Sequence, residues 1–446
     1  MKAEYVRAHG EGTAATGGKS NAALMCLCPR GKNRADRRPQ RALHVRRVSE
    51  RNRNMEMGED KSRKKPGYAL LEWYDSHRRD LPWREDPTPY HVWISEIMLQ
   101  QTRVETVRGY YTRFLQRFPD VRSLAEAEED DCLKLWEGLG YYSRARNLKK
   151  AAGQIMSLYG GEMPRKASEL RKLSGIGPYT SAAIASIAFG EKIPAVDGNL
   201  LRIFSRLALY EEQIRTPAAA KAADSFFFGI MPDDRPGDFN QALMDLGSGV
   251  CVPGTGAACG ANPAACPLSP FCRAFHEGRA ASLPVMPAAK ERRVDHRTIL
   301  LIRDGDRVLL RRRPSRGLLA GLYEFPNEDG WLSDREAVEK VRSFGCEPVR
   351  ISPLNESRHI FSHREWHMQA YEIWTGSYPE KEAAGNSSQI DDSADKEEMQ
   401  DQAFSEPRRG KPFFVSVSRL QEQYAIPSAY AAYLSRLVQG SPALEN

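Results

Sequence analysis

The stretch Val92-Trp-Ile-Ser-Glu-Ile-Met-Leu-Gln-Gln-Thr102 limits the fold of this chain more than any other. Tyr90, Trp93, Ile94, Ile97, Met98 and Gln101 recur at helical spacing and make one mostly apolar stripe. Glu96 lies off that stripe, yet Val92 and Leu99 flank it with further apolar groups. A helix apolar nearly all round is a buried helix, so other elements must surround it. An ionised carboxylate is costly there, and the pKa of Glu96 is expected to rise. A carboxyl still protonated near neutral pH is a general acid. The plain structural alternative is a buried Glu paired with an arginine such as Arg103.

The 446 residues leave room for two or three domains, and 41% hydrophobic content fits a globular chain. No apolar run approaches the length that crosses a bilayer. No charged-then-apolar segment opens the chain, so a cytoplasmic location and no membrane partner are expected. Residues 1–65 carry 17 Lys and Arg against 7 Asp and Glu. Few apolar residues and no period make them a disordered basic extension. They suit loose nucleic-acid binding or a transit segment, or translation starts at Met55 or Met57, the reading favoured here. Residues 380–406 hold 9 acidic and 2 basic residues, so 379–412 reads as a disordered acidic insertion. The net charge of +7 is therefore mainly a tail effect. Nucleic-acid binding by the body has to come from patterned groups.

Residues 66–283 read as all-α. An amphipathic helix opens at Gly67–Tyr74, and Leu81-Pro-Trp-Arg84 reads as a loop with an exposed aromatic and a cation. Helical patterns follow at 104–118, 123–137 and 144–159, with few strand signals. Between two of them sits Gly138-Leu-Gly-Tyr-Tyr-Ser-Arg-Ala-Arg146. Aromatics there suit wedging into a duplex while arginines hold phosphates. A core Tyr pair with surface arginines is the plain alternative.

Leu173-Ser-Gly-Ile-Gly-Pro-Tyr-Thr180 carries more information. Gly175 and Gly177 permit a tight turn and a close backbone approach, and Pro178 opens a helix. Amides and helix dipole at that end can hold a DNA phosphate. The string resembles the helix-hairpin-helix motif of DNA repair proteins. In Ala195-Val-Asp-Gly-Asn-Leu200, Asp197 precedes a helix and by itself needs only an N-cap role. A second carboxylate after such a motif is also what sugar–base bond cleavage requires. One carboxyl protonates the leaving group and the other meets the cationic sugar.

Four of the eight cysteines, Cys251, Cys259, Cys266 and Cys272, are bunched. In a chain without a signal segment that argues for metal over disulfides. Four thiolates suit an iron–sulfur cluster or zinc.

Residues 284–293 read as a linker and 294–440 as an α+β module. Arg297–Arg303 and Arg307–Arg313 flank Asp304-Gly-Asp306 as a hairpin. A helical pattern follows at 334–343, and 366–374 reads as a strand.

Together LPWR, VWISEIMLQQT, GLGYYSRARNL, LSGIGPYT, VDGN, FNQALMDLG and CPLSPFC resemble the MutY-type adenine DNA glycosylases of the endonuclease III superfamily. The resemblance spans roughly 66–440. It implies two helical subdomains with a DNA-facing cleft between them, and an enzyme that removes adenine opposite 8-oxoguanine or guanine in duplex DNA. It implies that Glu96 protonates adenine N7, that Asp197 stabilises or attacks the oxocarbenium sugar, and that Tyr179 assists. Trp83, Arg84 and Gln241 would line the pocket of the flipped base. Tyr141 would wedge into the duplex, with Gln100 and Gln101 near the vacated space. Cys251, Cys259, Cys266 and Cys272 would hold a [4Fe-4S] cluster.

Two departures bear on this. The family spacing is Cys-x6-Cys-x2-Cys-x5-Cys, and here the first two gaps are seven and six residues. An insertion around Gly260–Ala265 accounts for that, with Cys259 the ligand most affected. Tyr179 stands where lyase relatives carry a Lys, so no Schiff-base nucleophile is expected.

The second module resembles the Nudix-like C-terminal domain of the same proteins. After Pro326 only Arg335-Glu336 and Glu339 remain of the acidic metal-binding pattern, so pyrophosphatase activity is not expected. Phe361, Ser362 and His363 match the family's loop that contacts 8-oxoguanine. A monomer is expected. The rivals are an endonuclease III-like glycosylase/lyase for damaged pyrimidines, a non-catalytic iron–sulfur DNA-binding protein and a Nudix nucleotide hydrolase.

Overall fold

The structure, a computed structural model, describes residues 65–254, 257–288, 291–376 and 411–439. The expectations for 1–64 and for most of the acidic insertion lie outside the described residues. Among the described residues no helix is long and apolar enough to cross a membrane.

The first part is helical: α1 (Pro66–His77), α2 (Pro82–Glu85), α3 (Pro89–Leu99), α4 (Val104–Arg117), α5 (Val121–Glu126), α6 (Glu129–Leu135), α7 (Ser143–Tyr159), α8 (Ala167–Leu170), α9 (Pro178–Phe189), α10 (Gly198–Leu207), α11 (Pro217–Ile230), α12 (Pro236–Gly249) and α13 (Arg273–His276). The single helix expected at 123–137 is two. Asp120 and Ser123 form a capping box that starts α5, Ala127 leaves helical geometry, and Glu128 restarts the chain as α6.

The α3 helix opens with Thr88, whose hydroxyl accepts the His91 amide, and with Pro89 in its first turn. Every residue from Val92 to Met98 is buried, as the all-round apolar pattern requires. The helix stops at Leu99. Gln100 caps it and Gln101 turns left-handed at φ 58°, so Gln101 leaves the apolar stripe and is exposed.

Two large apolar cores form among the described residues of this part, with a small cluster of Ala182, Ala183 and Ala195 beside Tyr179. One gathers α3 to α7 around Trp93, Phe114, Trp136 and Leu148. The other gathers α1, α10, α11 and α12 around Leu70, Phe204, Phe227 and Phe239. The α9 helix packs on both α3 and α12 and so spans the seam between the cores.

The second part is a sheet of seven strands: β1 (Arg293–Asp304), β2 (Arg307–Arg312), β3 (Tyr323–Glu324), β4 (Asn327–Asp329), β5 (Pro348–Ile360), β6 (Arg364–Thr375) and β7 (Phe413–Ser416). Its main path is β3-β2-β1-β6-β5, with β1 and β6 parallel from Arg293↔Arg364 to Arg303↔Trp374. The β1–β2 hairpin turns at Asp304–Arg307, where the sequence places it. Ile299 and Leu301 of β1 face one core and Leu300 and Ile302 the other, so both faces of the sheet are covered. The helix α14 (Asp334–Ser343) contributes to one face. The helices α15 (Val417–Gln423) and α16 (Ala431–Gln439) contribute to the other.

The seam between the two parts is both apolar and polar: Leu322 and Ala425 of the second part are buried in the α3–α7 core, with Leu319 packed beside them. Asp130 of α6 accepts from Arg312 and from the Tyr323 hydroxyl, at 2.7 and 2.8 Å. Glu137 accepts the Ile426 amide at 2.8 Å, and Arg146 donates to the Ala320 carbonyl at 2.6 Å.

Candidate active site

Three elements bring Glu96, Tyr179 and Asp197 together. Glu96 sits on α3, 5% exposed. The Tyr179 hydroxyl, from the first turn of α9, donates to Glu96 Oε2 at 2.7 Å. Burial drives the Glu96 pKa up to about 7, helped by the nearby Asp197 charge. The Tyr179 hydrogen bond and the more distant Arg84 pull the other way, and burial wins. The partner on Glu96 is thus a phenol, and Arg103 lies exposed at the surface. Burial also holds the Tyr179 phenol protonated, so it stays a donor at neutral pH.

Asp197 caps α10: its Oδ1 accepts the Leu200 amide at 2.8 Å. Its Oδ2 accepts from Asn199 Nδ2 at 3.0 Å. Burial raises its pKa, opposed by those backbone and side-chain bonds and by Arg202. The capping role leaves acceptor capacity on the carboxylate, and its charge is near enough to act on Glu96.

The residue that holds this loop was not singled out from sequence. Asn240 is fully buried beside Gln241. Its Oδ1 accepts the Ala195 amide at 3.0 Å, and its Nδ2 donates to the Ile193 carbonyl at 2.9 Å and to Ser186 Oγ at 2.8 Å. Asn240 therefore ties α12 to α9 and to the segment that delivers Asp197. The only prior signal was an Asn one residue before the glutamine of the FNQ string. Gln241 itself is half-buried.

Trp83 and Arg84 differ from the expected exposed loop. They lie in α2, where Trp83 is buried edge-on against Tyr111, with ring centres 5.5 Å apart. Arg84 makes a bidentate pair with Asp245, at 2.8 and 3.0 Å, and Arg79 joins the same carboxylate. Asp245 is 4% exposed, so this buried acid consumes the guanidinium face.

A cavity of about 220 Å³ brings together Gln100, Gln101, Tyr141 and Gly175 beside Trp93 and Asn147. Gln100 donates to Thr180 Oγ1 at 3.2 Å. Tyr141 is 43% exposed with φ 47°, a costly backbone state for an aromatic residue. Tyr142 turns into the core instead. The first arginine of this loop is turned inward and spent on backbone carbonyls. Arg144 is 7% exposed and donates to the carbonyls of Ile97, Met98, Gln100, Leu139 and Gly140. It closes the C-terminal end of α3, whose carbonyls lack helical partners. Arg146 faces the sheet part.

At the helix-hairpin-helix turn only Gly175 needs its conformation. Its φ is 76°, and a Cβ there would lie 2.6 Å from the Asn147 side chain. Gly177 is extended, with open space where a Cβ would stand beside the N-terminus of α9. No left-handed backbone is needed there, and the open space leaves the N-terminus of α9 approachable.

Cys251, Cys259, Cys266 and Cys272 all line one apolar cavity, and none forms a disulfide. The other three thiols act electrostatically on Cys266. Arg206, 1% exposed, donates to Cys251 Sγ at 3.2 Å and to the Val252 carbonyl. Among the described residues no three His, Cys, Asp or Glu side chains close on the position of one metal ion.

From the sheet part, Ser362 and His363 are exposed, and Ser362 Oγ makes a short hydrogen bond with the Tyr141 hydroxyl. Phe361 packs on Trp366 and His359, at 5.0 and 4.6 Å, and belongs to the strand-end core.

The chain matches two family models, the HhH-GPD superfamily base excision DNA repair protein over residues 94–226 and the NUDIX domain over residues 298–436. It is 35% identical to the adenine DNA glycosylase of Mus musculus over 362 residues, covering 68% of this chain and 69% of that one. It is 34% identical to the adenine DNA glycosylase of Buchnera aphidicola over 310 residues, covering 68% and 85%. With a buried carboxyl held near neutrality, a second carboxylate beside it and both family domains in order, the chain belongs to the adenine DNA glycosylases of base excision repair.

Proposed function

We propose that this enzyme removes adenine paired with 8-oxoguanine or guanine, by acid-assisted hydrolysis that leaves an abasic site. The carrying observation is the buried Glu96 carboxyl, with a pKa near 7 and its Oε2 held at 2.7 Å by Tyr179. Adenine must leave the stack before its glycosidic bond is reachable. Protonated Glu96 then gives its proton to N7, which makes the base a neutral leaving group. The anionic Asp197 offsets the positive charge that develops on the sugar. The capping bonds fix that carboxylate before the charge appears. Tyr179 supplies a phenol and no amine, so the reaction ends at hydrolysis.

The C-terminal part supports reading of the opposite base. Ser362 reaches Tyr141, the residue proposed to enter the duplex, and His363 is exposed beside it. Phe361 has a packing role in this reading.

The four cysteines suit a [4Fe-4S] cluster. They are free thiols on one cavity, walled by Ile203, Leu207 and Leu246, with a guanidinium on Cys251. When bound, such a group serves as a cross-link that orders the 251–272 loop and does no redox work in base release. Arg202 donates to the Cys251 carbonyl at 2.7 Å and to Asn199 Oδ1 at 3.0 Å, so the same loop abuts the Asp197 cap.

Single-turnover assays on A·8-oxoguanine, A·G, an oxidised pyrimidine and an undamaged duplex, with and without alkali, test this reading. Wild type should release adenine from the first two and leave alkali-labile sites. Glu96→Gln should bind duplex and release almost none. Near-normal release by that variant would remove Glu96 from the chemistry, and strand cleavage without alkali would restore the lyase reading.

A further inference from the structure

Arg144 stands in the first turn of α7, three residues after Tyr141. It is 7% exposed, and among the described residues no carboxylate pairs with it. Burial pushes its pKa down to about 10, so it stays charged at neutral pH. A buried cation without a counter-charge is costly unless polar groups replace the water it has lost. Backbone carbonyls do so here.

Those carbonyls come from two separate turns. Nη1 donates to Ile97, Met98 and Gln100 at the end of α3, at 2.9, 2.8 and 2.7 Å. Nη2 donates to Leu139 and Gly140 in the turn before α7, both at 2.9 Å, and to Thr102 Oγ1 at 3.2 Å. Trp136 Nε1 reaches the Gly140 carbonyl and the Tyr142 hydroxyl accepts from Gly138, but neither side chain hydrogen-bonds to the end of α3. Both turns carry backbone strain where they line the cavity of about 220 Å³: Gln101 has φ 58° and Tyr141 has φ 47°. A residue with a side chain keeps that left-handed state only where its surroundings impose it. The Arg144 guanidinium imposes it from both sides, and it also lies 5.7 Å from the Tyr141 ring centre.

We propose that Arg144 is a positioning residue for base extrusion: by holding the end of α3 and the Gly138–Tyr142 turn on one guanidinium, it sets the angle at which Tyr141 enters the duplex and the distance from Tyr141 to Gln101. This rests on the reading of Tyr141 as the wedge. Arg144 itself is too buried to meet DNA. A planar fork with donors on two amino groups serves two turns at once, and a lysine ammonium at the same place serves one.

The test uses full-length protein and a duplex with 2-aminopurine beside a 2′-fluoro-adenosine opposite 8-oxoguanine. The fluorine disfavours the sugar cation and keeps the base attached, so the fluorescence rise reports unstacking alone. Adenine release is read in parallel, in single turnovers on the ordinary A·8-oxoguanine duplex. Arg144→Lys should remove most of the fluorescence rise and slow release roughly tenfold or more, the cost of a misplaced group away from the chemistry. In a Tyr141→Ala background the same substitution should add less than about twofold, because both changes act through one wedge. Arg144→Gln, which leaves no bare buried charge, is the second variant if Arg144→Lys does not fold. A full fluorescence rise in the Arg144 variant overturns the proposal, and so does a slowing that multiplies with that of Tyr141→Ala. Failure of both Arg144 variants to fold also overturns it, since the guanidinium then holds the core as a whole. If Tyr141→Ala alone leaves the rise intact, it is the wedge reading that fails, and the proposal with it; a rise lost in Tyr141→Ala and kept in Arg144→Lys defeats the proposal alone.

Discussion

Glu96 is where burial and chemistry meet most directly. Its pKa of about 7 places the acid form on the low-pH side, so single-turnover release should fall as pH rises through 7. A rate flat from pH 6 to 9 would contradict that. Tyr179 lowers this pKa by its hydrogen bond, so Tyr179→Phe should move the falling limb to higher pH as it reduces the rate. A limb that moves to lower pH would show that the phenol holds the acid form. The same shift is a stability statement. The folded pKa lies above the unfolded value of 4.5, so the contribution is whole below pH 4.5 and lost as pH rises through 7. The loss is on the order of 3 kcal/mol. Glu96→Gln should therefore raise the melting temperature relative to wild type far more at pH 8 than at pH 5, read by calorimetry at both pH values.

At the scale of elements, the site depends on polar ties between helices. Asn240 satisfies the Ala195 amide and the Ile193 carbonyl in a fully buried setting. Asn240→Ala strands both, so it should cost about 2–4 kcal/mol in denaturant unfolding. Release should slow as well, because Asp197 lies two residues past Ala195. Gln241→Ala, at a half-buried position, should leave stability within about 0.5 kcal/mol. If the two substitutions cost the same, Asn240 does not hold the loop. The cysteine loop makes a separate prediction. Protein as isolated should be brown, with about four irons per chain, and Cys266→Ser should lose both colour and iron. Colourless, fully active protein would exclude the cluster.

For the whole molecule, the seam decides what each part can do. A chain ending near Arg293 would free Asp130, Glu137 and Arg146 from the sheet part. It would also lose the Ser362 contact on Tyr141. Such a protein should still release adenine slowly from A·G and lose most of its advantage on A·8-oxoguanine. Ser362→Ala with His363→Ala should reproduce roughly tenfold to a hundredfold of that loss, the worth of one or two hydrogen bonds. Equal discrimination by the double variant would move lesion reading to the Tyr141 loop itself.

Amino-acid order alone determined the buried α3 helix, the turn at Gly175, the cap at Asp197, the β1–β2 hairpin and the bunching of four cysteines. Those features follow from local period, capping chemistry and spacing, which short stretches of chain carry by themselves. Tertiary structure decided the partners. Glu96 meets Tyr179 across 83 positions and Arg84 meets Asp245 across 161, separations over which sequence pattern is silent. It also inverted two local expectations. Trp83 is buried because Tyr111 offers it a ring edge, and Arg144 is buried because the end of α3 leaves carbonyls that only a guanidinium can collect at once.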